Sequence, residues 1–310
     1  MQAASIRIGT RGSPLALAQA LEVQDRLANA HGLAKDSITI TVIKTTGDQI
    51  LDRPLSDIGG KGLFTKEIED ALLANEIDVA VHSMKDMQTA LPDGLQIGAV
   101  LPREDVRDAL ISLKFKSLTE LPPGAVVGTS SLRRQAQVLH LRPGLVVVGF
   151  RGNVQTRLRK LHDGVADATF LAVAGLKRLG LQDHITAPVP VEQMLPAVAQ
   201  GAIGLEIRAG DERTADMIAP LNDAASALAV TAERAFLARL EGSCRTPIAG
   251  YAELDGGQLK FRGQVLAPDG KKAYAVARQG SPASAIDLSL SAADEVLSKA
   301  DPAVLVRSDA

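Results

Sequence analysis

Across the first two-thirds of the chain, short strand-like runs alternate with helix-like segments, and this alternation restricts the fold more than any other feature. Ser5–Gly9 reads as a strand, and Ser13-Pro14 follows as an N-cap with proline at the first helical position. Leu17, Ala20, Leu21, Leu27 and Ala28 then form one apolar stripe at helical spacing. Ile38–Lys44 is a second strand. The glycine-rich Gly59-Gly60-Lys61-Gly62 leads into a helix over Thr65–Asn75, and Ile77–Val81 is a third strand that ends at His82-Ser83-Met84-Lys85-Asp86. After Leu121-Pro122-Pro123-Gly124 the pattern restarts. Strand Ala125–Gly128 meets the cap Thr129-Ser130-Ser131 and a helix, and strand Leu145–Gly149 meets Arg151-Gly152-Asn153 and another helix. Ala168–Val173 and Gly201–Arg208 add two more strands. Such units imply parallel sheets with crossover helices. From Asn222 the order changes to a long helix, a loop holding Cys244, three successive strands within 248–278 and a closing helix, which reads as a small α+β domain.

A length of 310 residues exceeds one average core and calls for two or three domains. The net charge of −2 supplies no field that would recruit nucleic acid or an anionic membrane. Aromatic residues make up 3% of the chain, which argues against a stacking platform for single strands. The single cysteine rules out intrachain disulfides and a multi-cysteine metal cluster, and no metal site is expected. Gly59-Gly60-Lys61-Gly62 has neither the spacing nor the hydroxyl of a P-loop. No apolar run approaches a membrane span and no basic leader opens the chain, so the expected location is the cytoplasm.

Charge is unevenly distributed. Leu121 to His162 contains no Asp or Glu but holds Arg133, Arg134, Arg142, Arg151, Arg157, Arg159 and Lys160. One reading is a solvated basic face. The other is an anion site, because Thr129–Ser131 with Arg133 and Arg134, and Arg151 with Arg157, open helices just after strands. Ligands of open α/β sheets bind at such strand ends, where helix N-termini attract anions and arginine forks grip carboxylates. Arg142, Arg159 and Lys160 lie farther along and read as surface charges. Arg11 and Ser13 repeat the pattern after the first strand, which suggests a substrate with several carboxylates.

Asp86 is the contrary element, either a loop cap or partner of Lys85, or a carboxylate that steadies a developing cation. His82 reads as an ordinary strand-end histidine rather than a proton carrier. Cys244 is either a small buried apolar residue or an attachment point beside Arg245. A two-lobed receptor for an anionic metabolite and a nucleic-acid binder are the rival classes.

The motifs Arg7-Ile8-Gly9-Thr10-Arg11-Gly12-Ser13-Pro14-Leu15-Ala16, Gly59-Gly60-Lys61-Gly62-Leu63-Phe64, Val81-His82-Ser83-Met84-Lys85-Asp86, Gly128-Thr129-Ser130-Ser131-Leu132-Arg133-Arg134-Gln135, Arg151-Gly152-Asn153-Val154 and Glu241-Gly242-Ser243-Cys244 together resemble the porphobilinogen deaminase (hydroxymethylbilane synthase) family. The resemblance implies a cytoplasmic, monomeric transferase. It joins four molecules of the small-molecule substrate porphobilinogen head to tail, releases ammonia and yields hydroxymethylbilane for tetrapyrrole synthesis. It implies an α/β fold with two periplasmic-binding-protein-like α/β domains around a central cleft and a small C-terminal α+β domain. The corresponding division is 1–103 with 201–220, then 104–200, then 221–310. It also implies a dipyrromethane cofactor on Cys244 through a thioether, with Asp86 as the catalytic carboxylate. Ser13, Lys85, Asp86, Thr129, Ser130, Ser131, Arg133, Arg134 and Arg157 match cofactor-binding positions. Arg11, Arg151, Arg157, Arg7, Arg178 and Gln200 match substrate-binding positions, and Lys61 and Phe64 match a lid. Met87-Gln88 and Asp57 depart from the family pattern, leaving the loop after Asp86 and one cofactor contact open.

Overall fold

The computed structural model describes residues 6–49, 62–240, 246–302 and 304. The chain divides into two compact units. Among the described residues, one comprises 6–49, 62–104 and 201–227, and the other 105–200 and those from 228 on.

The first unit is built on a five-stranded sheet. β1 (Ile6–Thr10) lies between β2 (Ile38–Val42) and β3 (Val79–Ser83), parallel to both. β3 is followed across the sheet by β10 (Ile203–Arg208) and then by β4 (Leu95–Val100) at the edge. Helix Pro14–His31 covers one face. It starts at Ser13, whose hydroxyl accepts from the Ala16 amide, and stops at Gly32, whose left-handed backbone suits glycine. Val23 and Leu27 of that helix pack with Ile8, Val81 and Leu205. Helix Lys66–Leu73 covers the other face through Ile68 and Leu72, which meet Ile77 and Ala80. Burial on both faces explains why Val79, Ala80 and Val81 form an unbroken apolar run rather than an alternating one. Each valine of this run contributes about 1.5–3 kcal/mol when fully buried.

The second unit holds two sheets. In the first, β6 (Val126–Gly128) lies between β7 (Val146–Val148) and β8 (Ala168–Ala172), parallel to both, and β5 (Asp108–Ile111) and β9 (Ala187–Pro188) complete the sheet beside β8. The other is an antiparallel meander of β11 (Ile248–Asp255), β12 (Gln258–Leu266) and β13 (Ala273–Gly280). Phe236 of helix Ala224–Arg239 packs tilted against Phe261 of β12 with ring centres 5.0 Å apart, and Ala292, Ala293 and Val296 of helix Ala285–Lys299 join the same core. Glu233 ties β11 to the turn before β10, its carboxylate accepting from the amides of Ala252 at 2.8 Å and Ala199 at 2.6 Å.

The α/β reading therefore holds, with one correction. Only β2-β1-β3 and β7-β6-β8 are parallel. β10 runs antiparallel to β3 and β4, and β5 runs antiparallel to β8 and β9. Strands that enter a sheet without a crossover helix are not constrained to the parallel direction.

Candidate active site

In the first unit, two strand ends build a concavity lined by Arg11, Ser13, Leu15, Ala16, Gln19, Phe64, Thr65, Val81, His82, Ser83 and Asp86. β1 delivers Arg11 and Ser13 at its carboxyl end. β3 delivers His82 and Ser83, and the single 3-10 turn Met84–Asp86 follows. That turn is pinned from below. Met84 is buried, its amide donates to the Ala202 carbonyl at 3.1 Å, and its sulfur occupies the space where a Cβ on Gly204 would lie. Asp86 is left exposed at the mouth. The Arg11 guanidinium lies 4.1 Å from the centre of the Phe64 ring, a contact that orients the fork while keeping its charge. Gln19 and Ser83 are joined by a 2.8 Å hydrogen bond from Nε2 to Oγ. His82 donates from Nε2 to Glu206 Oε2 at 2.9 Å.

Arg7 is not brought to this concavity. The register pairs Ile8 with Val79, which sets Arg7 beside Asp78 at the amino end of the strands. There its guanidinium bonds Asp78 at 2.7 Å and the Asn75 carbonyl at 2.8 Å. Burial acts to raise the Asp78 carboxyl, but its bonds from Arg7 outweigh burial and hold it below the usual carboxylate range. Arg7 and Arg11 are four residue steps apart along extended chain, on the order of 13 Å.

In the second unit the two basic helix mouths form as the spacing suggests. Ser131 caps helix Leu132–Leu141 and Asn153 caps helix Val154–His162, each cap contributing about 1 kcal/mol. Thr129 accepts from the Ser131 amide, and Ser130 accepts from the Phe150 amide, so all three hydroxyl residues shape the turn. Arg157 donates from Nε to the Gly152 carbonyl at 2.8 Å, and Lys160 reaches back to the Arg151 carbonyl at 3.1 Å. Arg142 is half-buried and donates to the carbonyls of Leu118, Thr119 and Leu121, so it closes a turn and is not a surface charge. Arg159 is exposed, as expected.

Arg133 and Arg134 lie deeper than their neighbours. Both are buried, and their forks meet at Asp108 of β5, which is 0% exposed. Arg133 Nη2 bonds Asp108 at 2.8 Å and Arg134 Nη2 bonds it at 2.6 Å. Arg133 also donates to the Leu195 carbonyl and Arg134 to the Phe170 carbonyl. Gln200 joins the cluster, donating to Asp108 at 3.0 Å and to the Val106 carbonyl at 2.8 Å. Arg178 is half-buried in the last turn of helix Val173–Arg178. Lys85 is exposed beside Asp86. Cys244, Lys61 and Asp57 lie outside the described residues.

The family description "Porphobilinogen deaminase, dipyromethane cofactor binding domain" matches residues 6–216, and "Porphobilinogen deaminase, C-terminal domain" matches residues 227–298. The chain belongs to the porphobilinogen deaminase family. It is 63% identical over 295 residues to the porphobilinogen deaminase of Paracoccus denitrificans (strain Pd 1222), covering 95% of this chain and 94% of that protein. It is 55% identical over 305 residues to the chloroplastic porphobilinogen deaminase of Pisum sativum, covering 96% and 83%. Among solved structures, the periplasmic aliphatic sulphonate binding protein of Escherichia coli aligns with a TM-score of 0.41 and 14% identity, over 77% of this chain and 70% of that one.

Two buried donors of the second unit would suit an acceptor on the dipyrromethane group that the family description names. Arg151 Nη1 and Arg133 Nε are buried donors without hydrogen-bond partners. Such donors are costly unless an acceptor reaches them, and a carboxylate arm is one. Among the described residues, no helix is long and apolar enough to cross a membrane, and no group of His, Cys, Asp and Glu is arranged to hold a metal ion.

Gln19, Thr65 and Glu206 belong to the site region without having been singled out in the sequence. Gln19 could have been found, because a buried amide beside Ala20 breaks the apolar stripe of its helix. Glu206 carries no such signal, since its partner His82 is 124 residues away.

Proposed function

We propose that the chain catalyses the stepwise head-to-tail condensation of four porphobilinogen molecules, with loss of ammonia, to give hydroxymethylbilane for tetrapyrrole synthesis. The observation that carries this reading is the placement of one exposed carboxylate, Asp86, in the same strand-end concavity as Arg11, Ser13 and Phe64. Porphobilinogen carries two carboxylates and, once ammonia departs, a positive charge on its pyrrole. Arg11 supplies a fork for a carboxylate. The helix that Ser13 caps adds the positive end of its dipole. Asp86 stabilises the developing cation and holds the pyrrole N–H, and Phe64 orients Arg11 as it does so. In the second unit, Thr129–Ser131, Arg151 and Arg157 stand at helix mouths suited to acetate and propionate arms. Arg133, Arg134, Gln200 and Lys85 are assigned to the same binding function, Arg178 to an outer substrate position and Lys61 to the lid, whereas Arg7, engaged by Asp78 at the other end of its strand, is given no substrate role.

Cys244 is assigned to hold a dipyrromethane through a thioether. When bound, that group supplies the pyrrole carbon to which the first substrate is joined. A tethered acceptor makes each coupling effectively intramolecular. The enzyme is assigned to the cytoplasm as a monomer, acting on a small molecule without nucleic acid or membrane. The test is an intact mass of the purified chain beside its Cys244→Ala variant. The wild type is expected to exceed its sequence mass by one dipyrrole and the variant to match the bare polypeptide. Bare mass for both would remove this reading.

A further inference from the structure

Glu233 is fully buried on helix Ala224–Arg239, and the reaction above gives it no task. Its two oxygens serve two amides of the second unit. Oε2 accepts from Ala199 at 2.6 Å, and Oε1 accepts from Ala252 of β11 at 2.8 Å. The Ala199 bond falls on an uncommon backbone. The Gln200 amide closes a turn by donating to the Ala197 carbonyl at 2.9 Å, and Ala199 holds the third position of that turn with φ at +59°. Positive φ at this position normally calls for glycine, because a Cβ resists it. Alanine keeps such a backbone only where its surroundings enforce it. The buried carboxylate on its N–H is one such contact.

The turn ends a segment, 195–200, that braces the buried arginines. At its start the Leu195 carbonyl accepts from Arg133 Nη1 at 2.6 Å and from Gln137 Nε2 at 3.0 Å, while the Leu195 amide donates to Gln137 Oε1 at 2.8 Å. At its end Gln200 Nε2 donates to Asp108 Oδ1 at 3.0 Å, and Asp108 Oδ2 accepts from Arg133 Nη2 at 2.8 Å. β11 meets the segment a second time, where the Gly250 amide donates to the Pro196 carbonyl at 3.2 Å. Both terminal nitrogens of Arg133 are thus engaged, and Nε is the buried donor left without an acceptor. Its direction follows from where the Leu195 carbonyl and the Asp108 carboxylate stand. We propose that Glu233 is a positioning residue, which fixes the Ala199 turn and so holds 195–200 where it aims Arg133 Nε at an incoming carboxylate arm. The consequence for turnover rests on the anion-binding role proposed above for Arg133. The placement of the guanidinium does not.

Proton–nitrogen correlation spectra of the purified full chain read the placement directly, through the Ala199 and Ala252 amides and the Arg133 Nε–H, the last assigned by its loss in Arg133→Lys. Glu233→Met keeps the length of the side chain and removes both acceptors, so all three signals are expected to move. Glu233→Gln keeps the shape and turns one acceptor into a donor, so it serves if the methionine variant does not fold. In Glu233→Gln the Arg133 signal is expected to move when Ala199 is the amide that loses its acceptor, and to stay when Ala252 is. Wherever the Arg133 signal moves, KM for porphobilinogen is expected to rise about tenfold, the factor carried by roughly one hydrogen bond, with kcat within about twofold of wild type. An Arg133 signal that stays while that of Ala199 moves, or that moves with Ala252 alone, overturns the proposal. So does a fall in kcat with KM unchanged, which marks only a loss of folded enzyme. Absence of turnover in the wild type would instead count against the proposed function, and the Arg133 signal would still decide the placement.

Discussion

Replacing Asp86 with alanine is expected to leave the chain folded and to lower ammonia release from porphobilinogen by roughly a hundred- to a thousandfold, about 2.7–4 kcal/mol in the barrier. The two halves of this expectation come from different parts of the same turn. Its fold is held by Met84, which is 2% exposed and bonded to Ala202, and by the amide of Met87, which donates to the Met84 carbonyl at 3.3 Å. Asp86 itself is exposed and contributes little to packing. In the proposed reaction its chemistry depends on charge, because the pyrrole it would face becomes cationic when ammonia leaves. Asp86→Asn keeps the shape and removes the charge, so it should lose nearly as much as alanine. The measurements are the rate of ammonia release and the thermal midpoint, taken on the same preparations. Near-normal release by either variant would show that the carboxylate does not carry the step.

The strand-end placement of Arg11, Ser13 and Asp86 was legible because a strand followed at once by a capped helix fixes where the turn residues go. The helix mouths at Ser131 and Asn153 were legible for the same reason. What escaped was whatever depended on register or on distant partners. Arg7 lies four residues before Arg11 in the same motif. The pairing of β1 with β3 nevertheless sends it to Asp78, at the other end of the strand. Nothing in the local sequence marks β4 and β5 as strands. Leu95–Val100 is interrupted by glycine, and β5 opens with Asp108, a residue that normally marks a turn. Nothing local announces that this carboxylate is fully buried, because the arginines that permit it lie 25 and 26 residues later in the chain. The run free of acidic residues from Leu121 to His162 is thus partly compensated from outside, by an aspartate on the neighbouring strand.

That compensation makes Asp108 the residue whose loss is expected to cost the most stability. Asp108→Ala leaves two guanidinium groups buried around one vacated position, and removing one partner of such a set typically destabilises by about 3–5 kcal/mol. Arg133 and Arg134 keep only their carbonyl partners, Leu195 and Phe170, and Gln200 loses its bond to Asp108. Denaturant unfolding of the variant and wild type measures the difference. The pH dependence gives an independent check. Burial acts to raise the Asp108 carboxyl, but Arg133 and Arg134 together outweigh it and hold the group well below the ordinary carboxylate range. A depressed native pKa contributes stability that is fully present above the unfolded value and is lost as pH falls towards the native one. The wild type should therefore lose stability with acid more steeply than Asp108→Asn below the ordinary carboxylate range. The arginines' own contribution is separated by a double variant. Asp108→Ala combined with Arg134→Met removes a buried charge along with its counter-charge, so it should recover part of the loss caused by Asp108→Ala alone. If the double variant is instead less stable by the sum of the two single effects, the ion pair does not couple the residues. The buried cluster would then owe its stability to the carbonyl bonds of Arg133 and Arg134 and not to Asp108.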